Sequence, residues 1–214
     1  MSPALQQVLA TFLPLFLRGM AVNFEIAAIA LVVGLALGLL FAFARLARGL
    51  LGALSATVTG LMRAAPTFVV MFFLLNALPR NASLFGIPID LSGVMAVAIS
   101  LVPYSAAYVA DNAVQALAQL RQGSALAALL FLPNLTRAFF VLVMSSGAGA
   151  AIGVNEGIAV ILHQAEQLPD IEDKLALFAV GIALFGVPLQ AAFYLIRVLQ
   201  ARLSRVMIRR HVKA

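Results

Sequence analysis

The apolar runs along the chain are set off by the charges between them. Residues 26–44 carry no charged side chain over 19 positions, 91–110 none over 20, and 175–196 none over 22. An α-helix rising 1.5 Å per residue needs about 20 such positions to cross a hydrocarbon core ~30 Å thick. Two further runs are less clean. Residues 64–79 make 16 positions, and reach spanning length if Arg63 snorkels to the interface. Residues 122–155 hold one charge, Arg137, with Pro133 and the Gly147/Gly149 stretch inside. They read either as one long broken helix or as a short helix plus an irregular piece.

The pattern predicts an all-α integral membrane protein of about five transmembrane helices, with one membrane domain covering 1–214. Residues 3–16 predict an interfacial helix, within 1–17, leading into the first span. Turn chemistry separates the spans. Residues 49–60 read as a loop followed by the start of span two. Pro79-Arg80-Asn81-Ala82-Ser83 and Gly86-Ile87-Pro88 read as an outer loop, and Leu168-Pro169-Asp170 as a break in the next one. No basic segment precedes Leu9 and no small-residue cleavage site closes the first apolar run, so a signal peptide is not expected.

Composition agrees with a lipid solvent. The chain is 64% hydrophobic and 10% charged, with a mean hydropathy of +1.07. A soluble domain carries roughly 25% charged residues and could not hide this much apolar surface. The chain has no cysteine, and His163 and His211 are its two histidines, so a metal centre is not expected. His163 reads as an outer-loop residue. Asn81-Ala82-Ser83 and Asn134-Leu135-Thr136 match the glycosylation sequon and are taken as chance.

Charge then orients the spans. Arg45, Arg48 and Arg63 lie between spans one and two, and Arg121 follows span three. Arg197, Arg202, Arg205, Arg209, Arg210 and Lys213 follow span five and make 198–214 a basic tail. Lys and Arg favour the cytoplasmic side. The expectation is therefore an outside N-terminus, a cytoplasmic C-terminus, and an outer loop at 166–173 carrying the acids Glu166, Asp170, Glu172 and Asp173. The sequence pI of about 10.8 reflects this bias and not nucleic-acid binding.

Missing motifs narrow the chemistry. Neither lysine, Lys174 nor Lys213, follows a glycine, so no phosphate-binding loop exists and this chain is not expected to hydrolyse ATP. No hydrolase or protease motif is present, and no catalytic residue is assigned. What remains is packing and polar residues within helices. Gly34-x-x-x-Gly38 permits close approach of another helix, here expected within the chain. Span three holds Ser100, Pro103, Tyr104, Ser105 and Tyr108, whose hydroxyls either line a polar route or bond to neighbouring helices. Asp111 is expected in an ion pair near the inner interface. Glu25 and Glu156 sit where a carboxylate needs a partner or water, and glycines beside Glu156 permit irregular backbone.

Four stretches then carry a resemblance. They are Gly19-Met20-Ala21-Val22-Asn23-Phe24-Glu25-Ile26-Ala27 with Gly34-Leu35-Ala36-Leu37-Gly38, Arg63-Ala64-Ala65-Pro66-Thr67-Phe68, Tyr104-Ser105-Ala106-Ala107-Tyr108-Val109-Ala110-Asp111, and Ile152-Gly153-Val154-Asn155-Glu156. In order and spacing the chain resembles the permease subunits of bacterial polar-amino-acid ATP-binding-cassette importers, the histidine/glutamine permease type. The resemblance implies the five-helix type I permease core in a bacterial inner membrane. It also implies a second permease subunit as partner, in a homo- or heterodimer. Cytoplasmic ATPase subunits would bind the ATP, and an extracytoplasmic binding protein would deliver the amino acid. Substrate-pathway candidates are Tyr104, Ser105, Tyr108, Ser145, Ser146 and Glu156.

Two departures from the family pattern matter. The family's cytoplasmic "EAA" coupling loop, between spans three and four, is shortened or missing. Aligning Leu132-Pro133-Asn134-Leu135 with the family's "LPPL" leaves only a remnant, with Arg121, Gly123 and Leu126 as coupling-region candidates. A rival alignment keeps the loop at 123–145 and deletes most of span four; the first keeps 137–151 as a span and is preferred. Where some members carry "KDTS", this chain reads Met144-Ser145-Ser146-Gly147, without a carboxylate for a cationic substrate. The expected function is the permease subunit of an ATP-driven amino-acid importer, as the divergent partner of a heterodimer. The alternative is a non-transporting membrane scaffold or regulatory subunit derived from such a permease.

Overall fold

The computed structural model describes residues 2–47, 49–77, 83–84, 87–88, 92–124 and 131–211. Its helices are α1 (Pro3–Leu46), α2 (Leu50–Ala64), α3 (Thr67–Ala77), α4 (Gly93–Arg121), α5 (Phe131–Ser145), α6 (Gly157–Glu166) and α7 (Ile171–His211). A 3₁₀ segment, Ser146–Ile152, follows α5 directly. Between α3 and α4, β1 (Ser83–Leu84) pairs antiparallel with β2 (Ile87–Pro88). The rest of that outer loop lies outside the described residues.

Among the described residues, four segments are long and apolar enough to cross a membrane: Pro3–Leu46, Gly93–Arg121, Phe131–Ile152 and Ile171–Leu199. The pair α2 and α3, bent by 93° at Ala65-Pro66, makes a fifth if counted as one broken span. Pro66 supplies the break, because the residue before a proline is pushed out of the helical region. Ala65 there is extended, with φ −67° and ψ 117°.

The helices depart from the expected boundaries in three places. Residues 3–16 are not set apart from span one; α1 runs unbroken through Pro14 for 44 residues. At 1.5 Å per residue that is about 66 Å, roughly twice the hydrocarbon thickness. Residues 50–60, expected in a loop, are helical in α2. Two of their hydroxyl residues point inward: Ser55 donates to the Phe41 carbonyl at 2.7 Å, and Thr59 to that of Ser55 at 2.8 Å. The fourth run is a helix followed by a 3₁₀ turn, the second of the two readings the sequence left open. His163 lies in helix α6 and is exposed, where a loop was expected.

The centre of the fold is the contact of α1 with α4. The side of α1 that meets α4 is unusually small: Ala27, Ala30, Gly34, Gly38 and Ala42. It faces Ala98, Ser105, Ala106, Val109 and Ala110 of α4. A Cβ added at Gly34 would lie 2.5 Å from Ser105 Cβ, and one at Gly38 2.7 Å from the Ala106 carbonyl oxygen. The two backbones meet at a distance only glycine allows, so Gly34-x-x-x-Gly38 serves packing inside the chain. Ile26, Val97, Leu101, Leu142, Val143, Met71 and Leu189 complete this core. A second core joins the first half of α1 (Leu5, Val8, Phe12, Phe16, Met20) to α6 and α7 through Val160, Ile161, Ala165, Leu168 and Leu177.

Candidate functional site

Two polar clusters are built into this frame. The first forms where the chain leaves the 3₁₀ segment. Gly153 adopts φ 81°, left-handed backbone that suits glycine, and turns the chain toward α6. Glu156 then caps α6: Oε1 accepts from Ala159 N and Oε2 from Ile158 N, both at 2.9 Å. Asn23 of α1 reaches into the same turn. Its Nδ2 donates to Glu156 Oε2 at 2.7 Å and to Ser146 Oγ at 2.8 Å, while its Oδ1 accepts from Gly157 N at 2.9 Å. Asn23, Ser146 and Glu156 are all fully buried. Gly19 makes room for the turn: a Cβ there would lie 2.8 Å from Gly157 N.

A carboxylate at the N-terminus of a helix is favoured by the free N–H groups and the helix dipole. Here both oxygens of the buried carboxyl group are hydrogen-bonded, as a buried polar group requires. Glu156 has its partners within the fold, and its arrangement is that of a joint between α1, the 3₁₀ segment and α6. Ser145, at the end of α5, is half-buried beside this cluster in sequence and makes no hydrogen bond to it.

The second cluster sits at the Arg-rich end of the bundle, where α1 ends and α2 begins. Asp111 of α4 takes Arg45 Nη1 on Oδ1 at 2.6 Å and pairs with Arg63 through Oδ2. The other end of the Arg45 guanidinium bonds Thr59 Oγ1. One carboxylate therefore ties α1, α2 and α4 together. The Asp111 ion pair expected from sequence is present, and its partners are Arg45 and Arg63.

The remaining candidates separate into different faces of α4. Ser105 is fully buried against Gly34, and its Oγ has no hydrogen-bond partner among the described residues. It faces α1, inside this chain. Tyr104 and Tyr108 are half-buried with ring centroids 6.1 Å apart. Asn112, one turn further, accepts from Asn134 Nδ2 of α5 at 2.7 Å. The pathway candidates thus do not form one site: Ser146 and Glu156 belong to the Asn23 cluster, Tyr104 and Tyr108 stack on each other, and Ser105 lies in the α1 contact.

In the coupling region, Arg121 ends α4. Gly123 at φ 80° and the Ser124 N–H bonded to the Gln119 carbonyl at 2.9 Å close the helix in a glycine C-cap. Leu126 lies outside the described residues. Only positions 122–130, nine in number, separate α4 from α5. Helix α5 packs its buried Ala138, Leu142 and Val143 into the fold, so 137–151 is retained as a span and its apolar continuation.

Asn23 was quoted only within the first resembling stretch; lying between Arg18 and Glu25, its amide gave no distinct signal of burial. Arg45 and Arg63 were read for orientation, and their shared carboxylate only becomes visible once α1, α2 and α4 converge.

No family model and no curated protein matches the sequence. Among solved structures, the fold matches a chain of a crystal structure of an amino acid ABC transporter with histidines. The TM-score is 0.66 at 19% identity, over 94% of this chain and 99% of that one. The helical fold expected from the sequence, with four and up to five segments long and apolar enough to cross a membrane among the described residues, is the fold observed, and that chain shares it.

Proposed function

We propose that the chain is the transmembrane permease subunit of an ATP-driven amino-acid importer, and the divergent member of a heterodimer in a bacterial inner membrane. The observation that carries this reading is the likeness of fold over almost the whole of both chains to a chain of an amino acid transporter. Its partners would be a second permease subunit, cytoplasmic ATPase subunits that bind the ATP, and an extracytoplasmic substrate-binding protein. The amino acid would pass between the two permease subunits. In that arrangement the α1–α4 pair acts as a rigid body. The Asn23–Glu156 joint fixes α6 to it at one end, and the Asp111 latch fixes α2 at the other. In this reading Tyr104 and Tyr108 are the pathway candidates on α4. Ligand-driven import needs two states that bind the substrate differently, and one well-coupled subunit can bias both halves.

A second reading is favoured by one specific feature. The nine positions between α4 and α5 leave little chain for a coupling helix that receives force from an ATPase. A permease-derived scaffold or regulatory subunit would show the same core without the coupling element. Affinity purification of the tagged full-length chain from native membranes tests both. Under the main reading it brings down an ATPase and a second permease chain whose ATPase activity rises with substrate. A complex whose ATPase ignores substrate whether or not this chain is present supports the scaffold. Recovery of the chain without either partner contradicts both.

A further inference from the structure

At the Arg-rich end, α5 and α7 diverge around a cavity of about 110 Å³ lined by Pro133, Asn134, Arg137, Phe193, Ile196 and Arg197. Just along the same seam Phe140 and Phe193 stack edge to face, with centroids 5.3 Å apart. Two arginines, both exposed, therefore line one small cavity. Both salt bridges among the described residues go to Asp111, so neither Arg137 nor Arg197 has a carboxylate partner among those residues. Like charges held together at the edge of a low-dielectric region call for an anion between them.

We propose that this cleft binds the phosphate of an anionic phospholipid. Arg137 is the sole charge within 122–155, and Arg197 is the first charge after 175–196. Arg137 lies in the first half of α5, and Arg197 directly follows the apolar run of α7. Guanidinium groups match phosphate oxygens in paired, parallel hydrogen bonds. The apolar wall of Pro133, Phe193 and Ile196 suits the glycerol and upper acyl chain. Asn134 gives one Nδ2 hydrogen to Asn112 and has a second to offer beside the two arginines. A lipid source fits better than phosphate from water, because α5 and α7 are the spans least covered by the rest of the fold. In their most apolar windows 28% and 17% of residues are buried, against 61% for α4. The α7 helix also continues beyond Arg197 with Arg202, Arg205, Arg209 and Arg210 in its sequence, a basic extension of the kind drawn to an anionic leaflet. The proposal needs the membrane fold but not the transport reading.

The test is native mass spectrometry of the full-length chain in a neutral detergent, offered equal amounts of phosphatidylglycerol and phosphatidylcholine. We expect phosphatidylglycerol adducts to exceed phosphatidylcholine adducts roughly tenfold. The R137Q/R197Q pair should bring them to parity, R197Q alone should lower the excess, and R202Q/R205Q should leave most of it. Equal retention of both lipids by the unaltered chain overturns the proposal, as does an excess that survives R137Q/R197Q. If millimolar inorganic phosphate displaces the phosphatidylglycerol, the site is one for aqueous anions and the lipid assignment fails. Should the double variant not fold, the R197Q comparison and the phosphate competition still decide, because Arg197 is exposed.

Discussion

Asn23 of α1 and Glu156 at the head of α6 are joined by a buried 2.7 Å hydrogen bond, and Asn23 holds the Gly157 N–H with its other amide atom. One side chain thereby satisfies a donor and an acceptor in a turn that the membrane leaves no water to serve. Replacing it with Asn23→Ala strips three polar atoms of their partner at once. The unfolding midpoint in detergent should drop, by an amount corresponding to about 1–3 kcal/mol for each buried group left unsatisfied. Glu156→Gln keeps one acceptor for the helix N-terminus and should cost less than Glu156→Ala. Equal melting of Asn23→Ala and the unaltered chain would show that the cluster contributes nothing.

Close backbone approach between α1 and α4 makes a sharper contrast. Gly34→Ala puts a methyl against Ser105 and should cost about 1–3 kcal/mol as overpacking. Gly60→Ala is the internal control, since a Cβ at Gly60 meets nothing within 4 Å. It should be neutral or mildly stabilising, because alanine is the better helix former. Thermal unfolding of the two variants side by side gives the answer. A Gly60→Ala loss as large as that of Gly34→Ala would remove the packing argument.

The Asp111 latch is uneven. The Arg45 side chain is 22% exposed and that of Arg63 54%. The Arg63 arm should behave as a surface ion pair, contributing about 0–1 kcal/mol and weakening with salt. Arg45 also holds Thr59 and is more enclosed. Arg45→Gln should therefore destabilise more than Arg63→Gln, and Asp111→Asn more than either, because it leaves both guanidinium groups without their anion. Melting curves at low and high salt test the order. The reverse order, with Arg63→Gln the worst, would contradict the geometry.

The charge bias makes a topological prediction that the absence of cysteine renders easy to measure. Gln167, between α6 and α7, and Gln122, at the end of α4, are both exposed. Under the expected orientation, Gln167→Cys reacts with a membrane-impermeant maleimide in intact spheroplasts. Gln122→Cys reacts only after permeabilisation. The opposite pattern inverts the topology and would move the Arg137–Arg197 cleft to the outer leaflet.

The long charge-free runs were legible in sequence because a helix that must cross lipid tolerates few charges, whatever it packs against. They correspond to α4 and to parts of α1 and α7. The stretch before Ala64 was not legible. Its Gly, Ser and Thr content mimics a loop, yet Ser55 and Thr59 are one turn apart and turn inward to bond the α1 carbonyl and their own helix. Helix α6 was hidden for a related reason: its cap is Glu156, a residue read for its charge before its place at a helix start. The polar clusters depend on residues far apart in the chain, such as Asn23 with Glu156 and Arg45 with Asp111. Periodicity within one helix shows that such a residue is present but does not show which distant residue it meets. The α1–α4 contact was partly readable, since Gly34-x-x-x-Gly38 announces a close neighbour without saying which.

The central claim, a permease subunit that takes part in amino-acid import, is tested most directly by uptake. Cells lacking this chain, and the same cells with it restored, are given a panel of radiolabelled amino acids under energised conditions. The account predicts that uptake of at least one amino acid falls on deletion and returns with the unaltered chain. Because Asn23→Ala should unsettle the fold, it should restore that uptake only in part. Unchanged uptake of every amino acid after deletion, with the other subunits still assembled, would contradict the account.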